Sequence, residues 1–87
     1  MIQIVYGTDF LKSAQHLPKP QQRKLARLVK ILSINPYNHL LHTKHLSGEY
    51  AGFLSFRITR DWRVVFQFTN PAIIKLLRVV HRKDAYK

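Results

Sequence analysis

The chain has 87 residues, of which 15 are Lys or Arg and only 4 are Asp or Glu, for a formal net charge of +11. It contains no cysteine, which excludes a disulfide framework, a thiol nucleophile and a thiolate zinc site, and no apolar run reaches the roughly 18 residues that a membrane span needs. This length suits one domain with one core over residues 1–87, and so basic a domain is expected to meet a polyanion, either nucleic acid or an acidic protein.

The opening "MIQIVYG" alternates imperfectly and stops at Gly7, which predicts a first strand. It has neither the basic region nor the long apolar stretch of a signal peptide, so the expected location is the cytoplasm. Thr8 is a good N-cap, Asp9 favours the positive end of a helix dipole, and Phe10, Ala14 and Leu17 form one apolar face. Together they predict a first helix. Pro18 and Pro20 end it, and Pro20 suits the first turn of a second helix. There Leu25, Leu28, Val29 and Leu32 make an apolar stripe, with Arg23, Lys24, Arg27 and Lys30 mostly elsewhere, before "INPYN" closes the helix.

Residues 37–48 follow neither period and read as a loop carrying His39, His42 and His45. With Lys44 among them and few carboxylates in the chain, this spacing is not expected to hold a metal. From Ala51 onward the pattern is three antiparallel strands, over about 52–59, 62–69 and 73–82, with "TNPA" as the second turn. The predicted fold is α+β in the order β-α-α-β-β-β. Two N-terminal helices pack on one face of a small antiparallel sheet and leave the other face open.

The register of the first hairpin follows from hydrophobicity, because a slip of one residue sends every side chain to the opposite face. A three-residue loop, Thr59–Asp61, sets Ile58 opposite Trp62, Phe56 opposite Val64 and Leu54 opposite Phe66, a continuous apolar face for the helices. The same register sets Arg57 opposite Arg63 on the other face, near Ser55 and Gln67. Two like charges directly opposite destabilise a sheet, so the pair makes sense if an anion sits between them. Arginine's planar fork suits phosphate, ground state and transition state alike.

Lys44 and His45 from the preceding loop, and "HRKDAY" after the last strand, are expected to join this face. The plain alternative is a solvated sheet face. His81 and Tyr86 read equally well as proton-transfer or stacking groups and as ordinary surface residues. Arg60, in the turn, stands apart from the arginine pair and is expected to be a peripheral RNA contact or simply solvated.

The chain resembles the RelE/ParE toxin superfamily. The residues that carry the resemblance are "HLSGEYAGFLSFRITRDWRVVFQF", followed by "LLRVVHRKDAY", together with the length and the element order. The spacing from Leu46 to Phe66 is most similar to the RelE-like and YoeB-like mRNA interferases. What the resemblance implies is the toxin of a type II toxin–antitoxin system: a metal-independent, ribosome-dependent endoribonuclease that needs no cofactor. It would enter the A site of the 70S ribosome and cut mRNA there by attack of a ribose 2′-OH on its own 3′ phosphate.

By the same resemblance Arg63 stabilises charge on the scissile phosphate, and Arg57 is a second basic group on that face. Tyr86 is the C-terminal aromatic that stacks on or protonates the substrate, with Arg82 and Lys83 in the same basic tail. Lys44 occupies the position of the general base, where YoeB-like members carry glutamate, and Ala85 stands where they carry histidine. His81 or His45 are further candidates for the acid and base. The partner implied is a cognate acidic antitoxin, through which the pair would reach operator DNA. The alternatives are a ParE-like inhibitor of DNA gyrase and a non-catalytic RNA- or ribosome-binding module.

Overall fold

Strand β1 (Gln3–Tyr6) leads into helices α1 (Thr8–Ala14) and α2 (Lys19–Ile34), after which the chain forms β2 (Lys44–His45), β3 (Leu54–Arg57), β4 (Trp62–Asn70) and β5 (Ile73–His81). This is a computed structural model that describes residues 1–83. The strands make one sheet in the order β1-β5-β4-β3-β2. All pairings are antiparallel except β1 with β5. The parallel pair at one edge adds to the expected antiparallel sheet. The connection from β1 to β5 holds both helices and three further strands, long enough for a parallel pair that no tight hairpin could join.

The core lies between α2 and one sheet face. Leu25, Leu28 and Leu32 of α2 are buried in one cluster with Phe56, Val64, Phe66, Ile74 and Leu76 of the strands. These are the residues that the 3.6-residue stripe and the two-residue alternation select. Leu17 is buried with them although α1 ends at Ala14, in a turn where its N–H bonds the Ala14 carbonyl at 3.2 Å. Among the described residues no helix is long and apolar enough to cross a membrane.

Gly7, not Thr8, is the N-cap of α1, and no side chain caps the helix there. Its φ of −69° is open to any residue, so the need for glycine comes from contact. The Gly7 N–H donates to the Leu76 carbonyl at 2.9 Å, and a Cβ at this position would lie 2.6 Å from the same oxygen. Gly7→Ala is therefore expected to push α1 off β5 and cost about 1–3 kcal/mol. A melting temperature equal to that of the parent would show that the two elements separate without penalty.

Where β1 stops, Ser13 takes over the edge of β5. Its hydroxyl accepts from the Val79 N–H at 2.8 Å and donates to the Asp9 carbonyl at 2.7 Å, satisfying a backbone donor that no strand reaches. β5 also carries one extra residue, Leu77, because Val65 pairs with Arg78 while Phe66 pairs with Leu76. Such a bulge bends the strand and keeps the alternation in step on both sides.

The segment read as a loop is more ordered than its pattern suggested. A 3₁₀ turn at His39–Leu41 is capped by Asn38, whose side chain accepts from the Leu40 N–H at 2.9 Å, and β2 then adds to the sheet as Lys44↔Ser55 and His45↔Leu54. Two paired residues are too few for a period-2 signal. The anchors are Leu41 and Leu46, both buried on either side of β2.

Candidate functional site

The hairpin adopts the register that hydrophobicity demanded. Leu54 pairs with Phe66, Phe56 with Val64 and Arg57 with Arg63. Residues 58–61 connect the strands, and the Ile58 N–H bonds the Trp62 carbonyl at 2.9 Å, which leaves 59–61 as the loop. On the face away from the helices, two rows run across the sheet. One is Lys44, Ser55, Val65 and Arg78, and the other is Arg57, Arg63 and Val80. Four cations therefore share one face within two adjacent rows, and Lys44 joins the arginine pair as expected.

Arg63 is held in place. Its Nε donates to the Ser55 Oγ at 2.9 Å and its Nη2 donates to the His42 carbonyl at 3.1 Å. Ser55 is fully buried, although it belongs to the face predicted to be open. The 3₁₀ turn Gly48–Tyr50 and Phe53 lean over part of that face beside Val65, Leu77 and Arg78. His42 has φ 49° and ψ 47°, a left-handed conformation rare for a residue with a side chain. Strain of that kind costs about 1–3 kcal/mol and here aims a carbonyl at a guanidinium.

Neither Ser55 nor the His42 carbonyl was expected to orient Arg63. The signal available for Ser55 was its diagonal position, two residues from the partner of Arg63. A backbone carbonyl leaves no trace in sequence. Arg78, also unpredicted, is displaced onto this face by the bulge at Leu77.

Arg57 differs from Arg63. No side-chain hydrogen bond or ion pair joins it to another described residue, and it borders a groove with Arg60. The turn residue is thus not set apart from the pair, as the linear spacing suggested; both arginines border one depression at the end of β3.

Two of the histidines fall elsewhere. His81 is the partner of Trp62, on the helix-facing side, where the two rings meet edge-on with centroids 4.8 Å apart. Its Nδ1 accepts from the Lys83 N–H at 3.2 Å. His45, one residue on from Lys44, turns to the opposite side and stacks on Tyr37 at 5.9 Å. The alternation of a strand separates both from Arg57 and Arg63.

Arg82 is tied to the hairpin turn. Its N–H donates to the Asp61 carbonyl at 2.7 Å, and its Nε lies 3.4 Å from the Asp61 carboxylate. Both side chains of this pair are half exposed, so the bond positions more than it stabilises. Lys83 is exposed, and Tyr86 lies outside the described residues. Among the described residues no three His, Cys, Asp or Glu side chains converge as a metal site would require.

What this arrangement can do chemically is bind an oxyanion. Two guanidinium groups from adjacent strands, Arg63 fixed by a buried hydroxyl and Arg57 unanchored, form a donor pair whose repulsion an anion would relieve.

No protein-family model and no curated protein sequence matches the chain. The fold, however, is shared with solved toxin structures. YafQ from E. coli strain BL21(DE3) superposes with a TM-score of 0.80 at 18% identity, covering 100% of both chains. A YoeB/ParE toxin from Agrobacterium tumefaciens gives 0.78 at 19% identity, over 93% of this chain and 99% of that one. The archaeal RelE–RelB complex from Pyrococcus horikoshii OT3 gives 0.75 at 23% identity, over 97% and 98%. At these identities the likeness establishes the fold, and the resemblance read from the sequence is to the same group.

Proposed function

We propose that this chain is the toxin of a type II toxin–antitoxin pair, and that it cleaves mRNA on the ribosome as a metal-independent endoribonuclease in the cytoplasm. The observation that carries the reading is the Arg57↔Arg63 pair, one member anchored by Ser55 and His42, on a sheet face of the toxin fold. A cross-strand pair of like charges is costly without an anion. A phosphate between the guanidinium groups removes that cost.

In this mechanism the ribose 2′-oxygen attacks the adjacent phosphorus, its proton passes to a base, and the 5′-oxygen of the next nucleotide leaves with a proton. The products are a 2′,3′-cyclic phosphate and a free 5′-hydroxyl. Arg63 stabilises the extra negative charge of the pentacoordinate state, and Arg57 holds a second phosphate oxygen. Lys44, one strand away on the same face, stands where the base is needed. Tyr86 is assigned the leaving-group side. His45 and His81 are given no role in this reading, since each lies across the sheet from the face of Arg57 and Arg63. Arg60, Arg82 and Lys83 contact flanking RNA. The partner is an acidic antitoxin, and operator DNA is reached only through that complex.

Expression of the chain is expected to arrest growth and to produce cuts within translated codons, mapped by primer extension. With purified ribosomes and message at a constant free magnesium concentration, cleavage should be unchanged by a chelator that removes transition metals and leaves magnesium in place. Intact transcripts in arrested cells would refute the nuclease reading. If purified chain then inhibited gyrase supercoiling at stoichiometric amounts, the ParE-like alternative would replace it.

A further inference from the structure

A pocket of about 280 Å³ opens beside the Gly48–Tyr50 turn, on the sheet face that carries Arg57 and Arg63. It lies near the low end of the roughly 300–1,000 Å³ that small-ligand sites occupy, which suits one planar ring system and not a length of chain. Its apolar lining comes from Val65 and Leu77 and from the half-buried rings of Tyr50 and Phe53. Among the described residues neither ring pairs with another aromatic side chain. The polar groups are Asp9, Glu49 and Arg78, all exposed, and no ion pair joins any of them to a described residue. Two of the four acidic residues in a chain of net charge +11 thus meet at one pocket, beside its phosphate site.

Carboxylates in that place repel an RNA backbone, so their use must lie with another part of the ligand. Unstacked RNA bases are held against aromatic side chains and hydrogen-bonded on their edges. The polar set here matches guanine. A carboxylate accepts from guanine N1–H and the N2 amino group together, and a guanidinium donates to O6 and N7. Adenine and cytosine place a ring acceptor beside their amino group, and uracil offers a single N–H, so none of them presents two adjacent donors. The position also fits. Val65 pairs with Ser55, the anchor of Arg63, and lies two residues from Arg63 on the same face, about 7 Å along β4. That is the span from a phosphate to the base of an adjoining nucleotide.

We propose that this pocket binds the guanine base of a nucleotide bonded to the scissile phosphate. Tyr50 and Phe53 stack on the ring, Asp9 and Glu49 accept from N1–H and N2, and Arg78 donates to O6 and N7. These residues determine specificity and take no part in bond breaking. The effect on codon choice rests on the nuclease reading, whereas the binding of guanine does not.

The test titrates the isotope-labelled full chain with 3′-GMP, 3′-AMP and 3′-CMP and follows the backbone amide signals of Val65 and Arg78. Saturable shifts are expected with 3′-GMP, with affinities about tenfold lower or less for the other two, the discrimination that one bidentate contact supplies. Asp9→Ala with Glu49→Ala should weaken 3′-GMP by about tenfold or more, and Tyr50→Leu should weaken it independently. The sign is diagnostic, because removing two negative charges would tighten an attachment held by phosphate attraction alone. On translated messages that differ at one codon, sites with guanine should be cut about tenfold faster or more, and the double alanine variant should bring that ratio close to one. The proposal is overturned by equal affinity for 3′-GMP and 3′-AMP, by the absence of saturable 3′-GMP binding, or by binding that the double variant leaves unchanged or tightens. Cleavage by the parent without guanine preference, or a preference that survives the double variant, overturns it as well. If no message is cut while guanine binding stays selective, the nuclease reading alone fails.

Discussion

Arg63→Ala is expected to lower translation-dependent mRNA cleavage by about two to three orders of magnitude, the loss typical of removing one preorganised donor from a developing oxyanion. The expectation rests on how the side chain is held. A guanidinium fixed through Nε by the Ser55 hydroxyl and through Nη2 by the His42 carbonyl needs no reorganisation when charge builds on the phosphate. Arg63→Lys should rescue little, because an ammonium has no planar fork to match both the anchors and the phosphate. The fold should survive, since alanine removes a half-buried charge facing Arg57, and relief of that repulsion offsets part of the lost contact. Cleavage in the alanine variant within a few-fold of the parent, measured in single turnover on programmed ribosomes, would remove Arg63 from the chemistry.

The second large effect concerns stability. Phe66→Ala is expected to cost about 3–5 kcal/mol, a large share of the roughly 5–15 kcal/mol that holds a domain together. Phe66 is fully buried at the centre of the helix-facing sheet surface, and its ring meets Phe56 at 5.9 Å and Phe68 at 6.2 Å. No neighbour can fill the cavity without leaving its own place in the strand pairing. Urea unfolding followed by tryptophan fluorescence measures the loss, with Trp62 as the chain's single reporter. A change below about 1 kcal/mol would mean that the core collapses around the missing ring, against the packing described.

Much of the site was legible because it depends on parity. Leu54, Phe56 and Ile58 against Phe66, Val64 and Trp62 allow one register only, and that register carries Arg57 to Arg63 without further assumption. The same parity also corrects the list of candidates. His45 and His81 are near Lys44 and Arg82 in sequence, yet a strand sends neighbouring residues to opposite faces, so closeness in sequence is a poor guide there. Arg60 misled in the reverse direction: it looked remote from Arg57 until α2 and the turn at His39–Leu41 closed a groove around both.

By itself, the sequence of this protein determined its periodicities and therefore its elements, the buried face, the hairpin register and the excess of positive charge. These are local or pairwise properties, set by side-chain volume, polarity and the fixed pitch of helix and strand. Tertiary structure alone added Arg78 to the face of Arg57 and Arg63 and brought Arg60 to the groove that Arg57 borders. It paired β1 in parallel with β5, placed a two-residue strand beside Ser55, twisted His42 into a left-handed conformation, and brought α2 against the end of β3. Those outcomes depend on chain closure over long separations and on backbone carbonyls, neither of which leaves a pattern in the order of residues.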